Sequence, residues 1–269
     1  MAPSANSDPR LCALLLAGGE APKEIQAAAG ARKLCLTELG GMTLLERALH
    51  TICGALPDSR VLVNLGLDDE GVSLVSDPPF GNVICFSGAP DVLSAMEQAL
   101  SLLEADGGEE ALSTNLLLMT VDIPLLTEQQ LSEFISLAQA SGADGVWPIV
   151  ERAKVEEKFP GSQRTYVRTQ QGVFTGGNAF LVRPRLLREN SELLRKVYSS
   201  RKNPMALAGL FGMGLVMKLM SGRISTPELE NWFSQRFSAN LKLMVFNHPE
   251  IAVDIDKYSD YLLAREILG

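Results

Sequence analysis

The segment Leu16-Ala17-Gly18-Gly19 follows an apolar run and is the first place where this chain can hold an anion. Two glycines after a strand let the backbone turn sharply and aim its amides at phosphate oxygens. The spacing is not a dinucleotide fingerprint, since Gly18-Gly19-Glu20 lacks GxGxxG, and not a Walker loop, since no GK[ST] follows. An ordinary tight turn has the same appearance. Lys33, in Gly30-Ala31-Arg32-Lys33, stands close behind and can neutralise charge building on an α-phosphate as pyrophosphate leaves. Lys23 and Arg32 are rivals for that task, and a solvated loop lysine is the plain alternative.

Carboxylates supply the other half of such chemistry. Asp122, in Val121-Asp122-Ile123-Pro124, ends the most apolar strand-like segment, where a Mg²⁺ ligand would be placed; capping a turn is the alternative. Val253-Asp254-Ile255-Asp256 follows another apolar strand, and alternation puts both aspartates on one face if the segment is extended. Mg²⁺ usually takes one or two protein carboxylates and completes its shell with water and phosphate oxygens. Asp256 also precedes the closing helix, so capping competes with ligation. Phe174-Thr175-Gly176-Gly177-Asn178 suits close backbone approach to a ligand, with a β-turn as the alternative. His50 and His248 have no recognisable Ser or Cys partner, so no triad is assigned.

The elements that must position these residues read as an α/β fold. Strand-length apolar runs at Leu11 to Ala17, Arg60 to Leu65, Asn82 to Phe86 and Asn115 to Val121 alternate with helices at Thr43 to Leu56, Pro90 to Ala105 and Thr127 to Ala140. Strands without polar alternation, each followed by a helix, predict a doubly wound, mainly parallel sheet flanked by helices. Further on, Asp144 to Val150 reads as a strand and Glu151 to Gly161 as a charged loop. Thr165 to Thr169 and Asn178 to Val182 are expected to form a hairpin about Gln170-Gln171-Gly172. Helices are expected at Pro184 to Tyr198, Pro204 to Met220, Pro227 to Phe237 and Ser259 to Leu268, with a last strand at Leu241 to Phe246. Residues 1–10 read as a disordered N-terminal tail, and 11–269 as a single domain with an elaborated helical C-terminal half.

A net charge of -8 argues against a nucleic-acid surface, so a triphosphate would need a few placed cations, backbone amides and a metal. The cysteines Cys12, Cys35, Cys53 and Cys85 form no CxxC pair, which points to reduced thiols rather than a disulfide or zinc framework. With no secretory signal and no apolar stretch of roughly 20 residues, no membrane is implied and the expected setting is cytoplasmic. The Pro204 to Met220 segment has three readings: internal packing, the default, an acceptor-pocket wall, or a subunit contact in a homodimer.

In order along the chain these motifs resemble the MobA-like NTP transferase family, which includes the molybdenum-cofactor nucleotidyltransferases. Its L-x-A-G-G start, R-x-G-x-x-K and following G-G stretch are matched by Leu16-Ala17-Gly18-Gly19, Gly30-x-x-Lys33 and Gly40-Gly41-Met42-Thr43-Leu44-Leu45. Its D-x-P-[LF]-[LIV]-[TS] is matched by Asp122-Ile123-Pro124-Leu125-Leu126-Thr127, and its closing D-I-D by Asp254-Ile255-Asp256. The resemblance implies a Rossmann-like sheet of the nucleotide-diphospho-sugar transferase type, Mg²⁺ as cofactor, a nucleoside triphosphate and a small phosphorylated or pterin-like acceptor as partners, and in-line attack on the α-phosphorus. It also implies that Leu16, Ala17, Gly18 and Gly19 bind nucleotide, Lys33 stabilises the transition state, and Asp122 and Asp256 hold the metal. Arg164, Thr175, Gly177 and Asn178 are the acceptor-side candidates. Two departures stand out: in the first motif the gap between Gly19 and Gly30 is long and Ala28 takes the place of the family arginine, and at the end Lys257-Tyr258-Ser259-Asp260 replaces T-P-E-D, which leaves Asp254 as the alternative to Asp256. Glycosyl transfer from a nucleotide-sugar is a rival reading, opposed by a single aspartate at Asp122-Ile123-Pro124. A non-catalytic nucleotide-binding or regulatory protein is another, favoured by the missing arginine.

Overall fold

The computed structural model describes residues 11–69, 71–72, 80, 82–200 and 203–269. The tail expected to be disordered, residues 1–10, lies outside them. Four parallel strands form the first half of the sheet: β1 (Cys12–Leu16), β4 (Val61–Asn64), β5 (Val83–Phe86) and β6 (Leu116–Thr120), in the order β5-β4-β1-β6. Beyond β6 lie β10 (Ala179–Val182), antiparallel, and then β7 (Gly145–Glu151). β11 (Leu241–Val245) runs parallel to β7, while β9 (Gly172–Gly176) and β8 (Val167–Thr169) extend the sheet past the end of β7. This is the expected mainly parallel α/β sheet, with one antiparallel strand inserted between β6 and β7.

Alternation sorts the strand residues onto two faces. Ala13, Leu15, Val61, Val63, Leu117 and Met119 pack against α2 (Leu44–Ala55), α4 (Glu128–Ala140) and α11 (Tyr258–Leu268). Leu14, Leu62, Leu116 and Leu118 meet α3 (Val92–Ala111) through Ala99, Leu100 and Leu103. Fully burying one such side chain contributes roughly 1.5–3 kcal/mol, so the sheet is fixed chiefly by these two layers. Helix entries are set by local chemistry. The Thr43 hydroxyl accepts from the Glu46 amide at 3.2 Å while Glu46 accepts from the Thr43 amide at 2.8 Å. Thr127 and Gln130 repeat that exchange at the start of α4. Each cap stabilises its helix by about 1 kcal/mol. A two-stranded hairpin, β2 (Glu38–Leu39) and β3 (Met42–Thr43), turns at Gly40 and Gly41, whose φ of 59° and 75° suit glycine.

Several expectations are corrected. The charged stretch after β7 is a helix, α5 (Arg152–Lys158), which buries Val155; it is too short for its period to be read. The hairpin partner of β8 is β9, not Asn178 to Val182, which forms β10 and pairs with β6 and β7. The helix expected over Pro184 to Tyr198 is two, α6 (Pro184–Glu189) and α7 (Ser191–Ser200). The helix expected over Pro204 to Met220 breaks at Gly212, φ 86°, into α8 (Pro204–Phe211) and α9 (Met213–Ser221). That segment does not pack internally throughout, since Met205, Met213, Met217 and Met220 are exposed. α10 (Thr226–Phe237) follows, capped by the Ser225 hydroxyl. An unexpected short helix, α1 (Lys23–Ala29), occupies the gap after Gly19. Among the described residues no helix is long and apolar enough to cross a membrane.

Candidate active site

The chain leaves β1 for β4 and β5 on one side, then returns to place β6 on the other. The carboxyl ends of β1 and β6 therefore form a topological switch point, where open α/β sheets leave a crevice for ligands. Leu16 ends β1 there, and its carbonyl accepts from the Val121 amide at 3.2 Å. Ala17 is fully buried and bonds the Asn64 carbonyl at 2.9 Å, which leaves Gly18 and Gly19 to form the rim. Gly18 lies against Gly66: a Cβ on Gly18 would come within 2.5 Å of the Gly66 Cα. Neither backbone can give way to an ordinary side chain, so this glycine is required by close approach of two loops. Asn64, at the end of β4, is a residue that the motif reading missed. It is buried, and its Nδ2 has no hydrogen-bond partner, so the edge of the crevice holds an unused donor. An Asn followed by Leu65-Gly66 at the end of an apolar strand carries the same signal that singled out Gly18 and Asp122.

Lys33 is brought beside the glycine loop by pairing of the two arms around α1. The Leu34 amide donates to Gly19 at 3.0 Å, Glu20 bridges to Lys33, and the Ala21 amide donates to Arg32 at 2.9 Å. The long gap after Gly19 is thus absorbed by α1 and closed by Gly30 at φ 71°, with Ala28 exposed on that helix. The Lys33 side chain is buried. Its Nζ donates to the carbonyls of Leu65 at 2.7 Å and Asp68 at 3.1 Å and pairs with the Asp68 carboxylate. Arg32 pairs with Glu20 at 3.1 Å and Asp68 at 2.6 Å, whereas Lys23 is exposed on α1. Both cations next to the loop therefore converge on Asp68.

Asp122 lies two residues past the end of β6. Its carbonyl accepts from the Ile255 amide at 2.8 Å, which stitches the C-terminal segment to the crevice. Val253 and Ile255 are buried while Asp254 and Asp256 turn outward, so the segment is extended and its two aspartates share a face. Burial pushes the Asp122 carboxyl up to about 6, against the Thr120 hydroxyl that donates to it; the charges of Asp254 and Asp256 push the same way. Asp254 is also raised by burial, with Arg164 pulling it back. Arg164 is itself buried and pairs with both Asp254 and Asp260. Asp256 stays exposed. Its expected competing role as helix cap falls instead to Asp260, whose Oδ2 accepts from the amides of Lys257 at 2.9 Å and Asp256 at 3.3 Å.

The acceptor-side candidates are dispersed. Arg164, behind the carboxylates, holds Asp254 rather than facing the crevice. Thr175 is buried in β9 opposite Val150. Gly176 and Gly177 are demanded by packing, since a Cβ would strike Trp147 at 2.6 Å or Pro148 at 2.9 Å. The Gly177 amide donates to Pro148 at 2.8 Å, and its carbonyl accepts from the Trp147 indole at 3.0 Å. Asn178 does reach the crevice: its carbonyl accepts from the Thr120 amide at 3.1 Å, two residues before Asp122.

Among the described residues no three His, Cys, Asp or Glu converge into a closed metal cage. The donor set nevertheless suits Mg²⁺, a hard cation that binds one or two carboxylates and takes the rest from water and phosphate. Asp122 is raised chiefly by burial, and Asp254 and Asp256 add a repulsion that a divalent cation relieves. With Asp254 engaged by Arg164, Asp122 and Asp256 are the residues that fit such an ion.

The chain matches the family model of the MobA-like NTP transferase domain over residues 13–205. Among solved structures it is similar to a hypothetical transferase from Thermus thermophilus, with 31% identity, a TM-score of 0.77 and coverage of 93% of this chain and 99% of that one. It shares its fold with 4-diphosphocytidyl-2C-methyl-D-erythritol synthase from Anaerococcus prevotii, at 14% identity, TM-score 0.59 and coverage of 97% and 96%. It also shares it with a nucleotidyl transferase from Methanothermobacter thermautotrophicus, at 18% identity, TM-score 0.54 and coverage of 96% and 97%. No curated protein matches the chain.

Proposed function

The chain belongs to the MobA-like NTP transferase family, and from that premise we propose that it transfers an NMP unit from a nucleoside triphosphate to a small phosphorylated acceptor, with Mg²⁺ and release of pyrophosphate. The observation that carries this reading is the meeting of the Gly18-Gly19 loop, Asn64 and Asp122 at the switch point, with Asp256 on the C-terminal segment tied to Asp122. An acceptor phosphate oxygen forms a bond to the α-phosphorus, the bond to the β-phosphate bridging oxygen breaks, and pyrophosphate departs. Such a reaction needs positioning and charge neutralisation rather than a protein nucleophile.

The amides of Gly18 and Gly19 bind triphosphate oxygens, and Asn64 Nδ2 donates to the nucleotide. Lys33 exchanges part of its hold on Asp68 for an α-phosphate oxygen as negative charge grows there. Asp122 and Asp256 would hold Mg²⁺, which when bound neutralises phosphate charge and makes the phosphorus a better electrophile. Arg164 positions Asp254, and through the backbone Asp256, without touching substrate.

The test is to incubate the chain with each α-³²P-labelled triphosphate, Mg²⁺ and a pool of small phosphorylated metabolites. Movement of label into a new NMP-bearing product with equimolar pyrophosphate is expected for one base. Nucleotide binding without label transfer or pyrophosphate release would favour the non-catalytic reading and overturn this one.

A further inference from the structure

On the α3 face of the sheet the helical layer is incomplete. α3 covers β1, β4 and β6, α10 lies over β11 and α7 packs beside α3, and between them runs a cavity of about 410 Å³. Its floor is Leu118 of β6, Phe180 of β10 and Trp147 of β7; its walls include Met96, Leu194 and Phe233. α7 is amphipathic, yet it has no buried residue: Leu194 packs only in part against the Leu14, Leu62 and Leu118 layer, and with Val197 it lines this space. Protein interiors hold few voids larger than a water molecule, so an apolar cavity of this size, kept open between ordered helices, is the form a ligand site takes.

Chemistry decides what fits. Charged side chains in the lining are confined to Glu230, which accepts from the Leu243 amide at 2.7 Å, and Lys242. The Trp147 indole donor is spent on the Gly177 carbonyl. A polar heterocycle such as a pterin, with several donors and acceptors to satisfy, would be left unpaired here, whereas a hydrocarbon chain would not.

Position ties the cavity to the crevice. Trp147 stands in van der Waals contact with Phe180, their ring centroids 5.3 Å apart, and holds Gly177, next to Asn178 and so to Thr120. Val92 and Leu93 enter from the start of α3, at the carboxyl end of the sheet. Leu118 lies four residues before Asp122 on the same chain segment, roughly 13 Å in strand geometry. We infer that the acceptor is amphipathic, its phosphate meeting the α-phosphorus beside Asp122 and its hydrocarbon chain lying in the cavity floored by Leu118, Phe180 and Trp147. This rests on the nucleotidyl-transfer reading and names the acceptor class within it.

The experiment measures binding of farnesyl monophosphate, farnesol and inorganic phosphate by calorimetry, beside the thermal shift given by nucleoside triphosphate and Mg²⁺. The wild-type chain should bind farnesyl monophosphate at least tenfold more tightly than inorganic phosphate. Leu194→Trp and Val197→Trp, which fill the cavity from α7, should each weaken farnesyl monophosphate tenfold or more and leave the nucleotide shift unchanged. Two sites keep the test alive if one variant fails to fold. A nucleotide shift with no farnesyl monophosphate binding, or with binding that both filled variants retain, overturns the cavity proposal alone. Farnesol and farnesyl monophosphate bound equally well, with no nucleotide shift, would overturn the transfer reading and with it the acceptor assignment.

Discussion

Replacing Asp122 by Asn is expected to lower Mg²⁺-dependent nucleotidyl transfer by at least ~10³-fold while leaving the chain folded and, at neutral pH without metal, more stable than the wild type. The loss of activity follows from removing the carboxylate that best fits the metal, an interaction worth several kcal/mol in the transition state. The gain in stability follows from the cost of keeping that carboxylate charged. Its carboxyl is raised to about 6 by burial, with Asp254 and Asp256 adding repulsion. A carboxyl whose folded pKa is raised stabilises the fold while protonated, below about pH 4, and that contribution is lost as pH rises through about 6. The asparagine keeps an oxygen for the Thr120 hydroxyl and has no charge to lose. Its advantage should be absent at pH 4 and grow to at most about 3 kcal/mol at pH 7.5 in metal-free buffer. Thermal melts with a chelator at both pH values check this. A variant that melts below the wild type at pH 7.5, or turns over at a tenth of its rate or better, would remove Asp122 from the proposed role.

Arg164→Met should lower the melting temperature by roughly 6–12 °C, corresponding to about 3 kcal/mol in a chain of this size. Only 4% of the Arg164 side chain is exposed, as is 4% of its partner Asp260, while Asp254 is exposed to 27%. Removing the guanidinium leaves a deeply buried carboxylate without its cation, the costly way to break an ion pair. Asp254, already raised by burial and held down chiefly by Arg164, rises further in the variant. The deficit should therefore be larger at pH 7 than at pH 4, as protonation of the raised Asp254 carboxyl removes its unpaired charge. Arg164→Lys keeps the charge but not a fork that can span two carboxylates, so it should recover only part of the loss. Turnover should fall in both variants through a displaced Asp254-Ile255-Asp256 segment. A melting temperature within 2 °C of the wild type for Arg164→Met would show that the pair is not a support of the site.

The parts of the fold and site that could be read from sequence are those set by local pattern. Apolar runs located β1, β4 and β6, and Thr43 and Thr127 marked helix starts because each cap needs only a residue three positions on. The Gly18-Gly19 loop and Asp122 are legible as candidates because each follows an apolar strand, and parallel α/β sheets place ligands beyond their strand ends. What could not be read depends on partners remote in sequence. The antiparallel insertion of β10 between β6 and β7 leaves no periodic trace, and neither does the burial of Lys33 against Leu65 and Asp68. The packing need for Gly176 and Gly177 is equally hidden in sequence, since Trp147 and Pro148 occupy the space of their missing side chains. Arg164 reads from sequence as an acceptor-side candidate, whereas the return of the C-terminal segment directs its charge to Asp254 and Asp260. The α1 and α5 helices have seven residues each, too few for their apolar period to emerge from sequence.

The most direct test of the central claim is the thermal shift produced by ATP, GTP, CTP and UTP, each with and without Mg²⁺, on the wild-type chain and on Asp122→Asn. Selective binding to the native state raises the melting temperature by mass action. The account predicts a Mg²⁺-dependent shift of several degrees with one triphosphate on the wild type and none of that metal-dependent part on the variant. A shift that is the same with and without Mg²⁺, or that survives in Asp122→Asn, would contradict a metal-assisted triphosphate site at the ends of β1 and β6.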